Sequence, residues 1–191
     1  MKVLILNSFS QSQSMNRKLA NSELGRPDIS TFKSQEKTPI IVVLDNVRSL
    51  NNIGSVFRTS DAFAVEAIYL CGITAQPPHR DINKTALGAT ESVEWIYFEN
   101  TLDALKNLRE KNYTIAAIEQ TEASVYLNQF KPDKDQKLAV VFGHEVKGVS
   151  QEAINNSDLV LEIPQRGIKH SFNISVSVGI VLWALSEKLN V

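Results

Sequence analysis

The stretch that decides the fold is residues 163–185, which read IPQRGIKHSFNISVSVGIVLWAL. It begins as a loop, because Pro164 and Gly167 interrupt regular structure. A helix is expected to follow, with Ser171 as its N-cap. The apolar residues of that helix recur at the i, i+3, i+4, i+7 and i+11 spacing of one buried face: Val178, Val181, Leu182, Leu185 and Leu189. Residues 174–178 alternate between apolar and polar types, so the first turn is equally compatible with a strand.

The junction between this loop and the helix is a candidate binding site. A helix start presents unpaired backbone N–H groups and the positive end of the helix dipole, which suit an adenine edge or a carboxylate. Ser171 and Asn173 add short side chains that both donate and accept hydrogen bonds. Taken alone, such residues are more often an N-cap and a first-turn polar residue than ligand contacts. Evidence from other segments of the chain is needed to choose between these two interpretations.

Upstream of this stretch, buried strands alternate with helices. Continuous or alternating apolar runs predict strands at residues 40–44, 67–71, 93–98, 114–118, 138–142 and 159–163. Helical spacing predicts helices at residues 53–64, 101–111 and near 151–155. This alternation predicts an α/β fold with a mostly parallel sheet that helices cover on both faces.

Ligands of such sheets bind beyond the carboxyl ends of the strands. Asn52 follows the first predicted strand, Gly143 follows residues 138–142, and Pro164 follows residues 159–163. All three segments are therefore expected at one edge of the sheet. No strand is followed by a GxGxxG sequence, which argues against an ordinary dinucleotide-binding site.

The chain divides into an arm and one domain. Residues 1–38 are polar and predict an N-terminal arm with one short helix, capped by Asp28 or Ser30, whereas residues 39–191 carry the regular pattern. The whole chain has a formal net charge of −1, so charge alone does not mark a nucleic-acid binder. Several cations nevertheless lie on the predicted loops and would form a phosphate-binding surface if they converge: Arg48, Arg58, Arg80, Lys84, Arg166 and Lys169.

Composition excludes other classes of protein. The single cysteine, Cys71, lies in an apolar run and is expected to be a buried strand residue. One cysteine forms no internal disulfide, and no apolar run reaches the length of a membrane span. The three histidines, His79, His144 and His170, are far apart and have no cysteine at metal-binding spacing. We therefore expect a cytoplasmic protein with neither a membrane segment nor a metal.

Three segments together resemble a known family. They are DNVRSLNNIGSVFRTSDAF at residues 45–63, VVFGHEVKGVS at residues 140–150 and IPQRGIKHSFNISVSVGI at residues 163–180. In order and spacing they resemble the three motifs of the SpoU/TrmH branch of the SPOUT RNA methyltransferases, and KTALGATESVEW at residues 84–95 is similar to the segment between the first two motifs. Each motif alone would be weak evidence, but the three in this order are specific.

The resemblance implies a fold, an activity and partners. The fold would be the SPOUT type, in which the C-terminal segment forms a deep trefoil knot, so that residues 39–191 form the catalytic domain. The activity would be transfer of a methyl group from S-adenosyl-L-methionine to a ribose 2′-hydroxyl of tRNA or rRNA. The protein would be a homodimer that associates through its C-terminal helix.

The resemblance also assigns the site residues. The catalytic residues would be Arg58, Asn52, Glu145, Ser171 and Asn173, and backbone groups around Ile118, Gly143, Ile163 and Phe172 would bind the cofactor. A guanidinium has a pKa above about 12, so Arg58 is more plausible as a clamp on a phosphate than as the base. Asn52 would orient it, and Glu145 would fix the second motif and pair with an arginine. His144 departs from the Asn, Ser or Gln usual at its position, which leaves the hydrogen bonds of that loop to be determined.

Two other functions fit the same segments. One is a catalytically idle SPOUT-fold protein that only binds RNA, although the intact site residues argue against it. The other is a base methyltransferase of a sister branch, although the NxGxxxR pattern from Asn52 to Arg58 is typical of ribose methylation. The chain carries neither a separate N-terminal RNA-binding domain nor a basic C-terminal tail, so tRNA is expected as the substrate in preference to rRNA.

Overall fold

The computed structural model describes residues 16–189 of the chain. The strands are β1 (Thr38–Asp45), β2 (Val65–Cys71), β3 (Trp95–Phe98), β4 (Thr114–Ile118), β5 (Val125–Tyr126), β6 (Leu138–Phe142) and β7 (Leu159–Glu162). The helices are α1 (Ile29–Ser34), α2 (Leu50–Ala62), α3 (Arg80–Ala86), α4 (Ala89–Ser92), α5 (Thr101–Glu110), α6 (Gln151–Asn155) and α7 (Ile174–Leu189). A short 3₁₀ helix at Asn21–Glu23 precedes α1.

All seven strands form one sheet in the order β3-β2-β1-β6-β4-β7-β5. Every neighbouring pair is parallel, which confirms the predicted α/β class. β1 pairs with β2 on one side and with β6 on the other, so it lies in the interior of the sheet, next to the middle strand β6. This position explains its continuous apolar sequence, because a central parallel strand is buried on both faces.

The two faces of the sheet bury different helices. Ile40, Val42 and Leu44 of β1 pack with residues of α2 and α7, whereas Ile41 and Val43 pack with residues of α5 and α6. Successive strand residues point to opposite faces, which produces this separation. α2 and α7 therefore lie side by side on one face, and α5 and α6 lie on the other.

The start of α2 differs from the sequence expectation. The helix begins at Leu50 rather than at residue 53, because the Ser49 side chain accepts a hydrogen bond from the Asn52 amide at 3.3 Å and caps it. The first predicted site residue, Asn52, therefore lies inside the first turn of the helix rather than in a loop. Three short elements that the apolar pattern did not predict are also present, namely α3, α4 and β5.

The start of α7 corrects the prediction that Ser171 is the N-cap. The helix begins at Ile174, and the residue before it, Asn173, makes the capping contacts. The Asn173 side-chain oxygen accepts from the Ser175 amide at 2.9 Å, and its backbone carbonyl accepts from the Ser177 amide at 2.9 Å. Residues 174–178 are helical, so the alternative of a strand is excluded. Ser171 lies two residues before the cap and is left free for another role.

The remaining predictions have different outcomes. Asp28 caps α1 as expected, through a hydrogen bond from the Thr31 amide at 2.8 Å, while residues 1–15 of the predicted arm lie outside the described residues. Cys71 is buried in β2. Within residues 16–189 no helix is long and apolar enough to cross a membrane. The trefoil knot stays a prediction.

Candidate active site

Three loops at the carboxyl edge of the sheet enclose a cavity of about 780 Å³. They follow β4, β6 and β7, the edge at which parallel sheets bind ligands. The cavity brings together seven of the nine predicted site residues: Ile118, Gly143, Glu145, Ile163, Ser171, Phe172 and Asn173. The segment between β7 and α7 therefore forms one wall of a cleft, and the loop after β6 forms another.

Asn52, the eighth predicted residue, joins this cleft through hydrogen bonds. Its side-chain amide donates to the Glu145 carboxylate at 3.1 Å, and its side-chain oxygen accepts from the Asn173 amide at 3.1 Å. These three residues come from the first turn of α2, the loop after β6 and the cap of α7. The network thus ties the three segments together at the mouth of the cleft.

Glu145 is the anchor of this network. Its carboxylate accepts from the backbone amides of Arg48 at 3.1 Å and Ser49 at 2.9 Å, at the start of α2. Partial burial acts to raise the pKa of Glu145, but the hydrogen bonds from the backbone and from Asn52 outweigh it and hold the pKa below its ordinary value. The positive end of the α2 dipole also favours a carboxylate at this place. The partners of Glu145 are therefore amides, and not the arginine that we expected.

The network fixes the orientation of both asparagines. A carboxylate only accepts, so Asn52 has to turn its NH₂ group to Glu145 and its oxygen to Asn173. Asn173 then turns its NH₂ group to Asn52 and its oxygen to the start of α7. Because an NH₂ group carries two protons and each of these donates one of them here, a further donor on each asparagine is available to a ligand at the cleft mouth.

Gly143 and Gly148 allow the loop after β6 to close tightly. A Cβ on Gly143 would lie 2.1 Å from the backbone carbon and oxygen of Gly148. The loop is closed by two backbone hydrogen bonds between His144 and Gly148, at 3.0 and 2.8 Å. His144 also accepts from the Val146 amide through Nδ1 at 3.0 Å, so its side chain acts as an acceptor that supports this loop.

Glu119 is a site residue that the sequence analysis missed. It follows β4 directly, and its carboxylate accepts from the amides of Val149 at 3.0 Å and Gln120 at 2.9 Å. The same carboxylate occupies the space that a Cβ on Gly148 would need, 2.2 Å away. An acidic residue directly after a buried strand, at the edge where ligands bind, was the signal available in the sequence.

Asp45 is a second residue that the sequence analysis missed. It supports the site from the end of β1. It is 1% exposed at the end of β1, and its carboxylate accepts from the Ser150 amide at 2.8 Å and from the Thr101 hydroxyl at 2.5 Å. It also accepts from the Asn46 side chain at 2.9 Å. Asp45 therefore holds the starts of α5 and α6 against the end of the central strand.

Arg58, the ninth predicted residue, does not reach the cleft of its own chain. It is exposed on α2, more than a helical turn beyond Asn52, and is not among the residues that line the cavity. Within residues 16–189 its guanidinium has no hydrogen-bond or ion-pair partner, so the predicted contact with Asn52 is absent. Of the other loop cations, Lys84 pairs with Asp81 at 2.6 Å, and Arg166 and Lys169 border a second cavity. In the described part of the chain, no cluster of three or more side chains suits a metal ion.

Glu145→Gln is expected to destabilise the protein at neutral pH by about 1 kcal/mol, because a carboxamide NH₂ group replaces one acceptor at the start of α2. Since the folded pKa of Glu145 is depressed, the stabilisation by the charged form is present above the ordinary pKa and is lost as the pH falls through the folded value. Urea unfolding at about pH 7 and about pH 3.5 measures this difference, which should shrink at the lower pH.

The matched control for this experiment is Glu99→Gln, because Glu99 is exposed and has no hydrogen-bond partner in the described part of the chain. An equal free energy of unfolding for Glu145→Gln and Glu99→Gln at neutral pH would contradict the capping role.

Comparison with known proteins agrees with the resemblance of the three sequence motifs. The model of the SpoU rRNA methylase family matches residues 39–183. A 23S rRNA (guanosine-2′-O-)-methyltransferase of Vibrio parahaemolyticus is 29% identical over 168 residues, which are 87% of this chain and 67% of that protein.

Solved structures agree with this match. An S-adenosylmethionine-bound rRNA methyltransferase from Sinorhizobium meliloti has a TM-score of 0.73 and 26% identity, and the match covers 81% of this chain and 58% of that one. A TrmH/SpoU tRNA-modifying enzyme from A. aeolicus has a TM-score of 0.73 and 25% identity, with 85% and 80% covered. The chain thus spans well under two thirds of the Sinorhizobium chain.

Proposed function

Since the chain belongs to the SpoU rRNA methylase family, whose model matches residues 39–183, we propose that it is an RNA 2′-O-ribose methyltransferase that uses S-adenosyl-L-methionine. The observation that carries this proposal is the hydrogen-bonded network of Asn52, Glu145 and Asn173 at the mouth of the cleft. The network brings polar residues of the three motifs to one place, beside a cavity of suitable size. Its members offer donors and acceptors to a hydroxyl group.

The cleft fits the proposed cofactor. Its volume of about 780 Å³ lies within the range of small-molecule sites. Apolar side chains of Ile118, Ile163 and Phe172 line it and suit an adenine ring, while Gly143 allows the backbone to come close to a ligand. The cofactor supplies an activated methyl group on a positively charged sulfonium. The Glu119 and Glu145 carboxylates border the same cavity and favour a cationic ligand there.

The residues at the cleft mouth would orient the ribose. Methyl transfer is an in-line displacement, so the attacking oxygen has to be held on the axis of the bond that breaks. Ser171 lines the cavity, and its hydroxyl has no hydrogen-bond partner within the described ranges. We assign Ser171 and Asn173 to hydrogen bonds with the ribose hydroxyls. Asn52 and Glu145 hold Asn173 in position.

Arg58 would complete the site from a second copy of the chain. It is exposed on α2, which packs beside α7 on the same face of the sheet. α7 in turn presents an apolar surface, since Trp183 is 61% exposed and Val176 is 49% exposed. Between them, Gly179 has open space around it, which suits close approach of another helix. A homodimer through α7 would cover this surface and bring Arg58 near the partner's cleft, where it would hold a phosphate of the RNA.

This dimer predicts the behaviour of a charged variant. The wild-type protein should sediment as a dimer at micromolar concentration, and Trp183→Asp should shift it to the monomer, because a desolvated carboxylate would face the interface. Leu102→Asp is the matched control, since Leu102 is 38% exposed in the first turn of α5, on the opposite face of the sheet. A wild-type monomer, or equal dimerisation of Trp183→Asp and wild type, would contradict the α7 interface.

We favour tRNA over rRNA as the substrate. The support is the match to the tRNA-modifying enzyme of A. aeolicus, of which this chain covers 80%, whereas it covers 58% of the rRNA methyltransferase of S. meliloti. We also propose that the reaction takes place in the cytoplasm. The segment before β1 is proposed as an arm outside the catalytic domain, which then begins one residue earlier than expected because Thr38 already belongs to β1.

The test of the proposed function is incubation with methyl-labelled S-adenosylmethionine and either bulk tRNA or rRNA, followed by digestion to nucleosides. Label in a 2′-O-methyl nucleoside is the expected result, and the labelled pool identifies the RNA class. Label on a base would move the protein to a base-methylating function. Binding of RNA and cofactor without label in either pool would support an idle RNA-binding protein instead.

A further inference from the structure

A second cavity of about 490 Å³ lies beside the cofactor cleft, between the edge strand β5 and the loop that follows β7. Tyr126, Arg166 and Lys169 line it and take no part in the proposed chemistry. Gln120, Glu162, Gln165 and His170 line both cavities, so the two are neighbours. A ligand that extends from the cleft mouth along this loop would enter the second cavity.

Tyr126 is an exposed aromatic residue on a fixed backbone. β5 pairs with β7 so that Tyr126 lies opposite Glu162, and the next amide, of Leu127, donates to the Glu162 carbonyl at 2.8 Å. The Tyr126 carbonyl accepts from the amides of Gln129 and Phe130, at 2.8 and 3.1 Å. The residue is nevertheless 46% exposed, although a tyrosine ring at the end of a sheet gains more from burial. An aromatic ring on a fixed backbone with a solvent-facing surface is suited to stacking with a base.

The charges around Tyr126 suit a phosphate. Arg166 and Lys169 are both exposed, and neither forms an ion pair within residues 16–189. The Glu162 carboxylate also borders the cavity and accepts from the Ser124 hydroxyl at 2.6 Å, so two cations face one anion. The small net positive charge of this cavity suits a single phosphodiester group better than a free anion with several charges. The loop itself is held by the Gln120 side chain, which donates to the His170 carbonyl at 2.9 Å.

We propose that the second cavity binds one unstacked nucleotide of the substrate RNA next to the methylated one, with its base on Tyr126 and its phosphate on Arg166 and Lys169. This inference rests on the proposed function, because it takes the first cavity as the cofactor site. Base stacking on aromatic side chains together with cationic backbone contacts is the general mode by which proteins bind single-stranded nucleic acid. It gives affinity without selecting the base.

The test measures RNA affinity separately from catalysis. The probes are labelled total tRNA and a labelled oligouridylate, titrated with protein at several salt concentrations. Tyr126→Ala should weaken binding about tenfold, whereas Tyr126→Phe, which keeps the ring, should bind like wild type. In Arg166→Ala/Lys169→Ala the slope of log affinity against log salt should fall by about 0.7, because one phosphate of a single strand loses its contact.

The matched control removes two cations elsewhere, in Lys106→Ala/Lys134→Ala. Both residues are exposed, Lys106 on α5 and Lys134 in the loop before β6, away from the carboxyl edge of the sheet. This variant should keep the wild-type salt slope. The affinity for S-adenosylmethionine, measured by calorimetry, should be unchanged in every variant.

The outcomes separate this inference from the proposed function. If the wild type methylates RNA but Tyr126→Ala binds RNA as tightly as Tyr126→Phe, the nucleotide site is wrong and the function stands. If RNA binding depends on Tyr126 but no methyl group is transferred, the site stands and the function is wrong. A tenfold loss of S-adenosylmethionine affinity in Tyr126→Ala would assign the cavity to the cofactor and overturn the inference.

Discussion

Replacing Arg58 with alanine should reduce methyl transfer about 100-fold or more, because a misplaced ribose loses the alignment that the displacement requires. The fold should be unaffected, since the Arg58 side chain is exposed and has no partner within the described chain. The affinity for S-adenosylmethionine should also be unchanged, because Arg58 does not line the cleft. Initial rates with the labelled cofactor, together with calorimetry, measure both quantities. Lys106→Ala, which removes an exposed cation from α5, should retain the wild-type rate.

A mixing experiment tests whether Arg58 acts in the partner's cleft. Arg58→Ala and Asn173→Ala should each be nearly inactive as homodimers. After subunit exchange, half of the dimers are mixed, and each mixed dimer has one site with both residues intact. The mixture should therefore recover about a quarter of the wild-type activity. Wild-type turnover by Arg58→Ala would refute the role of this residue, and no recovery on mixing would refute the shared site.

Gly143→Ala should produce the second large effect. The added Cβ would lie 2.1 Å from the Gly148 carbonyl carbon and from the Val149 amide nitrogen, and backbone atoms have no alternative rotamer. The two hydrogen bonds between His144 and Gly148 would have to break, which would move Glu145 and the cleft wall. We expect a loss of about 1 to 3 kcal/mol in stability and at least about a tenfold loss in S-adenosylmethionine affinity.

Thermal unfolding and calorimetry measure these two effects. For a chain of this size, each kcal/mol corresponds to a shift of about 2 to 4 °C in Tm. Gly167→Ala is the matched control, because a Cβ there meets no atom within 4 Å and the backbone conformation is ordinary. If Gly143→Ala bound the cofactor as tightly as Gly167→Ala, the close packing of this loop would have no part in the site.

The sequence predicted the elements that carry a clear apolar pattern well and missed the elements that lack one. Strands β4 and β6 were predicted to the residue, because a central strand needs a continuous apolar run. α3 and α4 were missed, because prolines and a glycine surround them and α3 is capped by His79, whose Nδ1 accepts from the Asp81 amide at 3.1 Å. Histidine is not a residue that usually signals a helix start. β5 has two residues, too few for any periodicity.

The same contrast holds for the candidate site: its location was predictable from the sequence, but the contacts between its side chains were not. Motif residues predicted the cleft, because loops at the carboxyl ends of parallel strands converge whatever their side chains are. The partners within the network were not predictable, since Asn52 and Asn173 are 121 positions apart and meet only through the order of the strands. The same holds for Asp45 and Ser150, which are 105 positions apart. The proposed action of Arg58 involves a second chain, about which helical periodicity in one chain carries no information.

The position of β1 between β2 and β6 has a consequence for biosynthesis. One edge of β1 pairs with β2, the next strand in the chain. The other edge pairs with β6, so that Ile40 can pair with Leu138 only after all the residues between them have been synthesised. Such high contact order slows folding, because the long loop has to close before the pairing stabilises it. Until about three quarters of the chain has left the ribosome, the nascent protein presents an unpaired strand edge beside the apolar side chains of residues 40–44, the kind of surface that chaperones shield from aggregation.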